Sequence, residues 1–226
     1  MSALSLRLET IASLVPRGAR VCDVGTDHAR LPIHLIKNGI ATTVIATDLN
    51  KKPLENAQKN LEASNVSGIM LRHCDGLSGV AKNEADTIIV AGIGGEVISG
   101  ILDRCDWLKS KDITLILQPT TSPETLRRFL SQNGFEILSE TPVFENQKVY
   151  SVIKANFCGL VSDHPEHYYY IGRVPRTPDG IIYIKKQQKR VMDCMKAYQN
   201  IQSKAEDFRI YHTIYTAIEN YLTENT

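Results

Sequence analysis

Two acids bracket a glycine in the segment Val21-Cys-Asp-Val-Gly-Thr-Asp-His-Ala-Arg-Leu-Pro32. An acid at the carboxyl end of a strand, a glycine two residues later and then a helix make the start of a nucleotide-binding turn. Gly25 lets the backbone approach a ligand, and the N–H groups of the following helix point into the site. Positions 27 and 30 are Asp and Arg, not the second and third glycines of G-x-G-x-x-G. A pyrophosphate would crowd against Asp27 and be repelled by two carboxylates. S-adenosylmethionine presents an ammonium and a sulfonium, which acids attract. The loop therefore favours this methyl donor over NAD, with Asp23, Gly25, Thr26, Asp27, His28 and Leu31 as contacts. A plain tight turn after a buried strand would use the same residues.

Asp48 ends a second strand, followed by Leu49 and Asn50. An acid there, about twenty residues past the loop glycine, is placed to accept hydrogen bonds from ribose hydroxyls; taken alone, it is also a common helix cap. In Cys74-Asp75-Gly76 the carboxylate of Asp75 is a candidate acceptor for the adenine amine, or half of an Asp-Gly turn. Ala91-Gly92-Ile93-Gly94-Gly95 holds three glycines in four positions. Such a run is conformationally costly, so something is expected close to that backbone, and Ala91, Gly92 and Gly94 are assigned to the cofactor. Gln118-Pro119-Thr120 ends a fifth strand, where the Gln118 amide offers a donor and an acceptor to an acceptor substrate. Pro119 would equally serve only to end the strand.

These loops need a scaffold that brings strand ends together. Short β-branched runs at about 20–24, 43–47, 69–72, 87–91, 113–117, 135–139 and 148–154 alternate with helical stretches at about 31–38, 53–64, 95–103 and 123–133. That alternation predicts a parallel sheet covered on both faces. Pro53 and Pro123 suit a first helical turn, and Gly39 and Gly134 suit helix C-caps. The last two strands have no helix between them, only residues 141–147, so they should pair antiparallel. The expectation is an α/β, Rossmann-like class I methyltransferase: a seven-stranded, mostly parallel sheet with an antiparallel last strand, over residues 1–158. Residues 160–183, rich in Pro, Gly and Tyr, read as an irregular connector. Beyond it, Ile184, Gln188, Val191, Met195, Tyr198 and Gln202, then Phe208, Tyr211, Tyr215, Ile218 and Leu222, follow 4-3 spacing. This predicts a helical, coiled-coil-like hairpin in an appendage over 159–226.

Composition adds exclusions. Hydrophobic residues make up 42% and charged residues 23% of 226 positions, enough for a sizeable core. No apolar run approaches the roughly 20 residues of a membrane span, and the start lacks the pattern of a secretion signal, so a cytoplasmic location is expected. Five scattered cysteines form no C-x-x-C pair and suggest reduced thiols without metal. The net charge of +1 weighs against broad nucleic-acid binding but permits a local patch.

Taken together, the opening Leu4-Ser-Leu-Arg-Leu-Glu9, Asp23-Val-Gly-Thr-Asp-His-Ala-Arg-Leu-Pro32, Asp75-Gly76, Ala91-Gly-Ile-Gly-Gly95, Leu117-Gln-Pro119 and Tyr150 resemble the bacterial tRNA (adenine-22-N1) methyltransferases, the TrmK family. The resemblance runs through about the first 155 residues. It departs at Thr26 (often Ser), Arg30 (often Tyr) and Thr120 (usually Asn). It implies methyl transfer from S-adenosylmethionine to N1 of an adenine in tRNA. That nitrogen carries a lone pair and needs no strong base, so catalysis lies in alignment and water exclusion, on a base that is unpaired or flipped out.

Asp27, Gln118 and the Gly92–Gly95 loop are then the positioning candidates, and Arg30, Gln118, Pro119 and Thr120 face RNA. Lys185, Lys186, Lys189 and Arg190 make the best phosphate patch, supplemented by Arg17, Arg20, Arg173 and Arg176, although such a run also describes a solvated helix face. The partners expected are tRNA, no membrane and no metal, in a monomer or weak homodimer. Alternatives are a methyltransferase of this fold acting on another RNA site or a small molecule, or a noncatalytic cofactor-binding module.

Overall fold

The computed structural model describes residues 4–223. Met1 to Ala3, at the start of the segment read for a secretion signal, lie outside the described residues, as do 224–226 at the end of the expected appendage. One seven-stranded sheet carries the fold, in the order β3-β2-β1-β4-β5-β7-β6. Its strands are β1 (Ala19–Val24), β2 (Ala41–Asp48), β3 (Ile69–His73), β4 (Thr87–Ile93), β5 (Thr114–Pro119), β6 (Phe135–Glu145) and β7 (Lys148–Phe157). The first five run parallel, and β7 pairs antiparallel with both β5 and β6. The central strands are apolar on both faces, as when helices cover both sides: Ile88, Ile89, Val90, Leu115, Ile116 and Leu117 are all fully buried.

The covering helices are α1 (Leu6–Leu14), α2 (Arg30–Lys37), α3 (Lys51–Ser64), α4 (Gly95–Asp103) and α5 (Pro123–Gln132). Gly39 and Gly134 follow α2 and α5 with positive φ, and the amides of Gly39 and Ile40 return to Ile36 and Leu35 as a Schellman pair. Pro123 opens α5, whereas Pro53 is the third residue of α3.

Three local features differ from the sequence reading. Helix α1 is additional: Ser5 Oγ accepts from Leu8 N at 3.4 Å, and Ile11, Ala12 and Val15 pack with Ile89, Ile116, Val143 and Val152 from the right half of the sheet. Only Ile11 and Ala12 of its nine residues are buried, too weak a stripe to announce a helix. The segment 141–145 is strand, not connector. The turn is Asn146-Gln147 alone, both residues at positive φ, as a tight two-residue hairpin requires. The region 160–183 contains a short helix, α6 (Glu166–Ile171), and the first turns of α7 (Pro178–Tyr198).

Helix α7 is capped by Thr177, whose Oγ1 accepts from Gly180 N at 3.2 Å. It packs antiparallel against α8 (Ala205–Thr223). Arg176, just before α7, bonds the carbonyls of Tyr221 and Leu222 at the far end of α8, and the Tyr198 and Tyr211 rings meet at 5.8 Å near the tip. Ile184, Val191, Ile214 and Ile218 form the shared apolar cluster with Val149, Ile171, Val174 and Tyr183. Gln202 falls in a 3₁₀ turn beyond α7.

The helical tail is riveted to the sheet domain by a buried ion pair. Arg127 of α5 meets Glu140 of β6 at 2.7 Å, with neither side chain exposed. Arg127 also donates to the carbonyls of Tyr169 and Tyr170 and to the Tyr183 hydroxyl, while Glu140 accepts from Ser151 Oγ and Arg173 N. Burial works against the guanidinium charge, but Glu140 and Tyr183 together outweigh it and hold the group above its ordinary pKa. Gly172 lies against this pair: a Cβ there would sit 2.1 Å from Glu140 Oε1. Among the described residues no helix is long and apolar enough to cross a membrane.

Candidate active site at the carboxyl edge of the sheet

The loop after β1 is pinned to its neighbours. Gly25 N and Thr26 N both donate to Thr47 O of β2, at 2.8 and 3.0 Å, and Asn60 Nδ2 of α3 donates to His28 O at 2.9 Å. Gly25 takes φ +80° and Ala29, the residue before α2, φ 52°. No side chain caps the first turn of α2. The loop forms one wall of an open cleft of about 600 Å³ lined by Asp23, Gly25, Thr26, Asp27, His28, Ala29, Arg30 and Leu31, within the ~300–1,000 Å³ of small-molecule sites. Ala91, Gly92 and Ile93 of β4 form its floor, and Ser5, Arg7, Leu8 and Glu145 the opposite wall.

Asp23 is the electrostatic centre of this wall. It is buried, and burial pushes its carboxyl up to about 6; the nearby Thr26 hydroxyl opposes the rise and the Asp48 carboxylate adds to it. Thr26 Oγ1 is itself buried without a well-aligned hydrogen-bond partner. Asp27 stands at the rim, its side chain 77% exposed, 3.4 Å from His28 Nε2. A buried acid beside a second acid, an unsatisfied hydroxyl and an uncapped helix turn suit a ligand carrying both a cation and hydrogen-bonding groups. The residues present therefore fit S-adenosylmethionine.

Asp48, Leu49, Asp75 and Gly76 lie at the adjoining strand ends, outside the lining of that cleft. Asp48 Oδ1 accepts from Asn50 N at 2.8 Å, Leu49 is exposed with its carbonyl 2.8 Å from His73 Nε2, and Gly76 O accepts from Thr47 Oγ1 at 3.1 Å. Asp75 is exposed and pairs loosely with Arg104 at 3.4 Å.

Two expectations change at β4 and β5. The approach that demands glycine at 94 and 95 comes from the chain's own β5–α5 loop. A Cβ on Gly94 would lie 3.0 Å from Thr121 Oγ1, and one on Gly95 2.2 Å from Ser122 O. Gly94 is thus a packing glycine outside the cleft lining, while Gly92, at φ +83°, faces the cleft. Gln118 is fully buried. Its Oε1 accepts from Arg7 Nη1 at 2.7 Å and Gly92 N at 3.1 Å, and its Nε2 donates to Pro119 O. Buried and bonded within the protein, Gln118 is placed to position Arg7 and the Gly92 backbone, in contrast to the direct substrate contact expected of it.

Pro119 and Thr120 line a second, smaller cleft of about 230 Å³ with Tyr150, Lys186 and Arg190. The cationic run of α7 is accordingly split by the helical repeat. Lys186, itself exposed, bends its ammonium back to donate to Val149 O at 2.9 Å beside the Tyr150 ring, and partial burial with neighbouring Arg190 and Lys148 lowers its pKa. Arg190 forks onto Glu124 at 3.0 and 3.2 Å. Lys185 and Lys189 are exposed. The supplementary arginines are otherwise engaged: Arg20 pairs with Asp86 at the amino-terminal end of β1, Arg173 bonds Ile137 O, and Arg176 holds α8. Arg17 lies exposed just before β1, away from the cleft. No cluster of three metal-binding side chains occurs among the described residues.

The sequence reading missed the wall opposite the loop. Ser5, Arg7 and Leu8 lay within the opening motif quoted above without a role, and nothing in the sequence marked Glu145, which reaches the cleft only because β6 is long.

Sheet order, antiparallel last strands and acidic strand-end loop define a Rossmann-superfamily methyltransferase. A family model described as a methyltransferase domain matches residues 4–153. The chain is 31% identical to the Bacillus subtilis tRNA (adenine(22)-N(1))-methyltransferase, covering 90% of this chain and 87% of the relative. The crystal structure of the B. subtilis m1A22 tRNA methyltransferase TrmK superposes with a TM-score of 0.82 at 26% identity, covering 96% of each chain. M. capricolum TrmK in complex with S-adenosylhomocysteine gives 0.80 at 27%, covering 97% and 98%. The chain belongs to the TrmK family of tRNA (adenine-22-N1) methyltransferases.

Proposed function

We propose that the protein methylates N1 of adenine 22 in tRNA, using S-adenosylmethionine held in the cleft between the β1–α2 loop and α1. The observation that carries this reading is the buried Asp23 carboxyl, beside Asp48 and above its ordinary pKa, in a cleft open to a ligand. An ammonium or sulfonium placed there compensates both acids, whereas a phosphate would add to the repulsion.

In this reading Asp23, Gly25, Thr26, His28, Leu31, Ala91 and Gly92 hold the donor, with Asp48, Leu49, Asp75 and Gly76 extending the site toward ribose and adenine. S-adenosylmethionine supplies an electrophilic methyl group. The N1 lone pair forms the new N–CH₃ bond as the S–CH₃ bond breaks, its electron pair staying on sulfur and the positive charge passing to the adenine. Asp27 at the rim orients the reacting groups, and Gln118 acts one step back, through Arg7 and Gly92 N. Arg30, Pro119, Thr120 and Lys186 bind RNA near the site, while Lys185 and Lys189 touch phosphate farther out. Arg190, committed to Glu124, shapes that surface. We further propose residues 1–158 as the catalytic unit and 159–226 as the tRNA-holding one, in a cytoplasmic monomer or weak homodimer.

The test is to incubate the protein with unmodified tRNA and labelled S-adenosylmethionine, then map reverse-transcription stops. A stop at adenine 22 that is absent without protein, with 1-methyladenosine in the digest, is expected. Methylation elsewhere would favour another RNA site, and cofactor binding with no turnover a noncatalytic module.

A further inference from the structure

The cleft has two walls, and the donor reading above uses only one of them. The opposite wall holds one acid, Glu145, the last residue of β6. Although β6 is the sheet's far edge, three places beyond β4, its length carries Glu145 back to α1. There Oε1 accepts from Arg7 N at 3.1 Å. Among the described residues Oε2 has no hydrogen-bond partner, and the half-buried side chain lines the same cleft as Gly92 and Ile93. One carboxylate oxygen is therefore fixed by the first turn of α1, which leaves the other free for a ligand in the cleft that Asp23 also lines.

An adenine presenting N1 to the donor necessarily presents its 6-amino group alongside, on the same edge. Methylation at N1 leaves the ring cationic, with the charge shared by that amine. An acceptor-only, negatively charged group opposite the donor wall matches both features: it takes the amine proton as a hydrogen bond and counters the charge that appears as the methyl group transfers. We infer that Glu145 reads the exocyclic amine of the target adenine and stabilises the positive charge its ring acquires on methylation at N1. This rests on the adenine-N1 reading above.

The experiment compares tRNA carrying adenine with tRNA carrying purine riboside, which lacks only the amine, at position 22. Both are assayed with the wild type and with Glu145→Gln. The glutamine keeps a carbonyl oxygen to accept from Arg7 N, so a purely structural cap survives the change. Cofactor affinity and melting temperature are measured in parallel and should be nearly unaltered. The wild type is expected to lose about 10- to 100-fold in kcat/KM on the purine substrate, the range for one hydrogen bond to a charged group. Glu145→Gln should start lower on adenine and discriminate about tenfold less than the wild type, keeping only the penalty that comes from the amine's own electron donation to the ring. Should the glutamine variant lose cofactor binding or cooperative melting, Glu145→Asp replaces it, keeping the charge but withdrawing it by one methylene, with reduced discrimination expected. Discrimination as strong in the variant as in the wild type overturns the inference, as does a wild type indifferent to the amine. A wild type that never methylates adenine 22 instead sinks the functional reading beneath it.

Discussion

The cleft at the carboxyl edge and the joint beneath the helical tail each bury a carboxylate, with opposite outcomes. At the joint, Glu140 is satisfied on every side by Arg127, Ser151 and the Arg173 amide, and Arg127 by two carbonyls and a tyrosine hydroxyl. In the cleft, Asp23 is buried next to another acid and a hydroxyl. A structural site closes its charge balance within the chain. A binding site leaves a deficit for the ligand to fill, and the apo protein carries that cost as strain.

The contrast breaks most visibly at the joint. Arg127→Met leaves Glu140 buried without its cation and should cost about 3–5 kcal/mol, read as a lower denaturant midpoint. Adding Glu140→Leu should recover part of that loss. A variant melting like the wild type would mean the joint is not the balanced structural centre described. The same joint bears on truncation. A deletion from residue 160 onward would strip Arg127 of Tyr169, Tyr170 and Tyr183, so loss of fold is expected from it, not a clean separation of tRNA binding from cofactor binding.

The opposite sign is expected in the cleft. The folded pKa of Asp23, about 6, exceeds its ordinary 3.8, so the folded state binds the proton more tightly than the unfolded one. Its contribution is favourable below 3.8 and is lost as pH rises through about 6. At pH 7 the ionised group therefore costs stability, and Asp23→Asn should raise apo stability by up to about 3 kcal/mol at about 1.4 kcal/mol per pKa unit. A variant less stable than the wild type at pH 7 would contradict the deficit.

The smallest effect belongs to the exposed cations. Lys185→Gln with Lys189→Gln should leave stability within about 0.5 kcal/mol, weaken tRNA binding a few-fold and reduce the salt slope by roughly one to two. An unchanged slope would remove them from the RNA surface.

The strand–helix alternation, the antiparallel hairpin and the acidic loop were legible because each follows from local pattern: β-branched runs, a linker too short for a crossover, a glycine two residues past an acid. What escaped depends on long-range geometry. Arg127 and Glu140 sit thirteen positions apart and look like surface charges until α5 and β6 pack together. Gly94 and Gly95 announced a close approach correctly, but sequence could not say that the approaching groups were Thr121 and Ser122. Gln118 looked like a substrate contact because its strand end faces the site, yet Arg7, from a helix with a faint apolar stripe, takes its carbonyl oxygen. Lys186 and Arg190 tie back to Val149 O and Glu124 while Lys185 and Lys189 point to solvent, a consequence of where α7 packs.

The most direct test of the central claim is S-adenosylmethionine affinity between pH 5 and 7, measured calorimetrically on the wild type and on Asp23→Asn. If a buried, unbalanced Asp23 awaits a cationic ligand, wild-type affinity rises by up to about tenfold per pH unit toward 6 and then levels, while the variant binds weakly at every pH. A wild-type affinity flat across that range, or a variant that binds as tightly as the wild type, would contradict it.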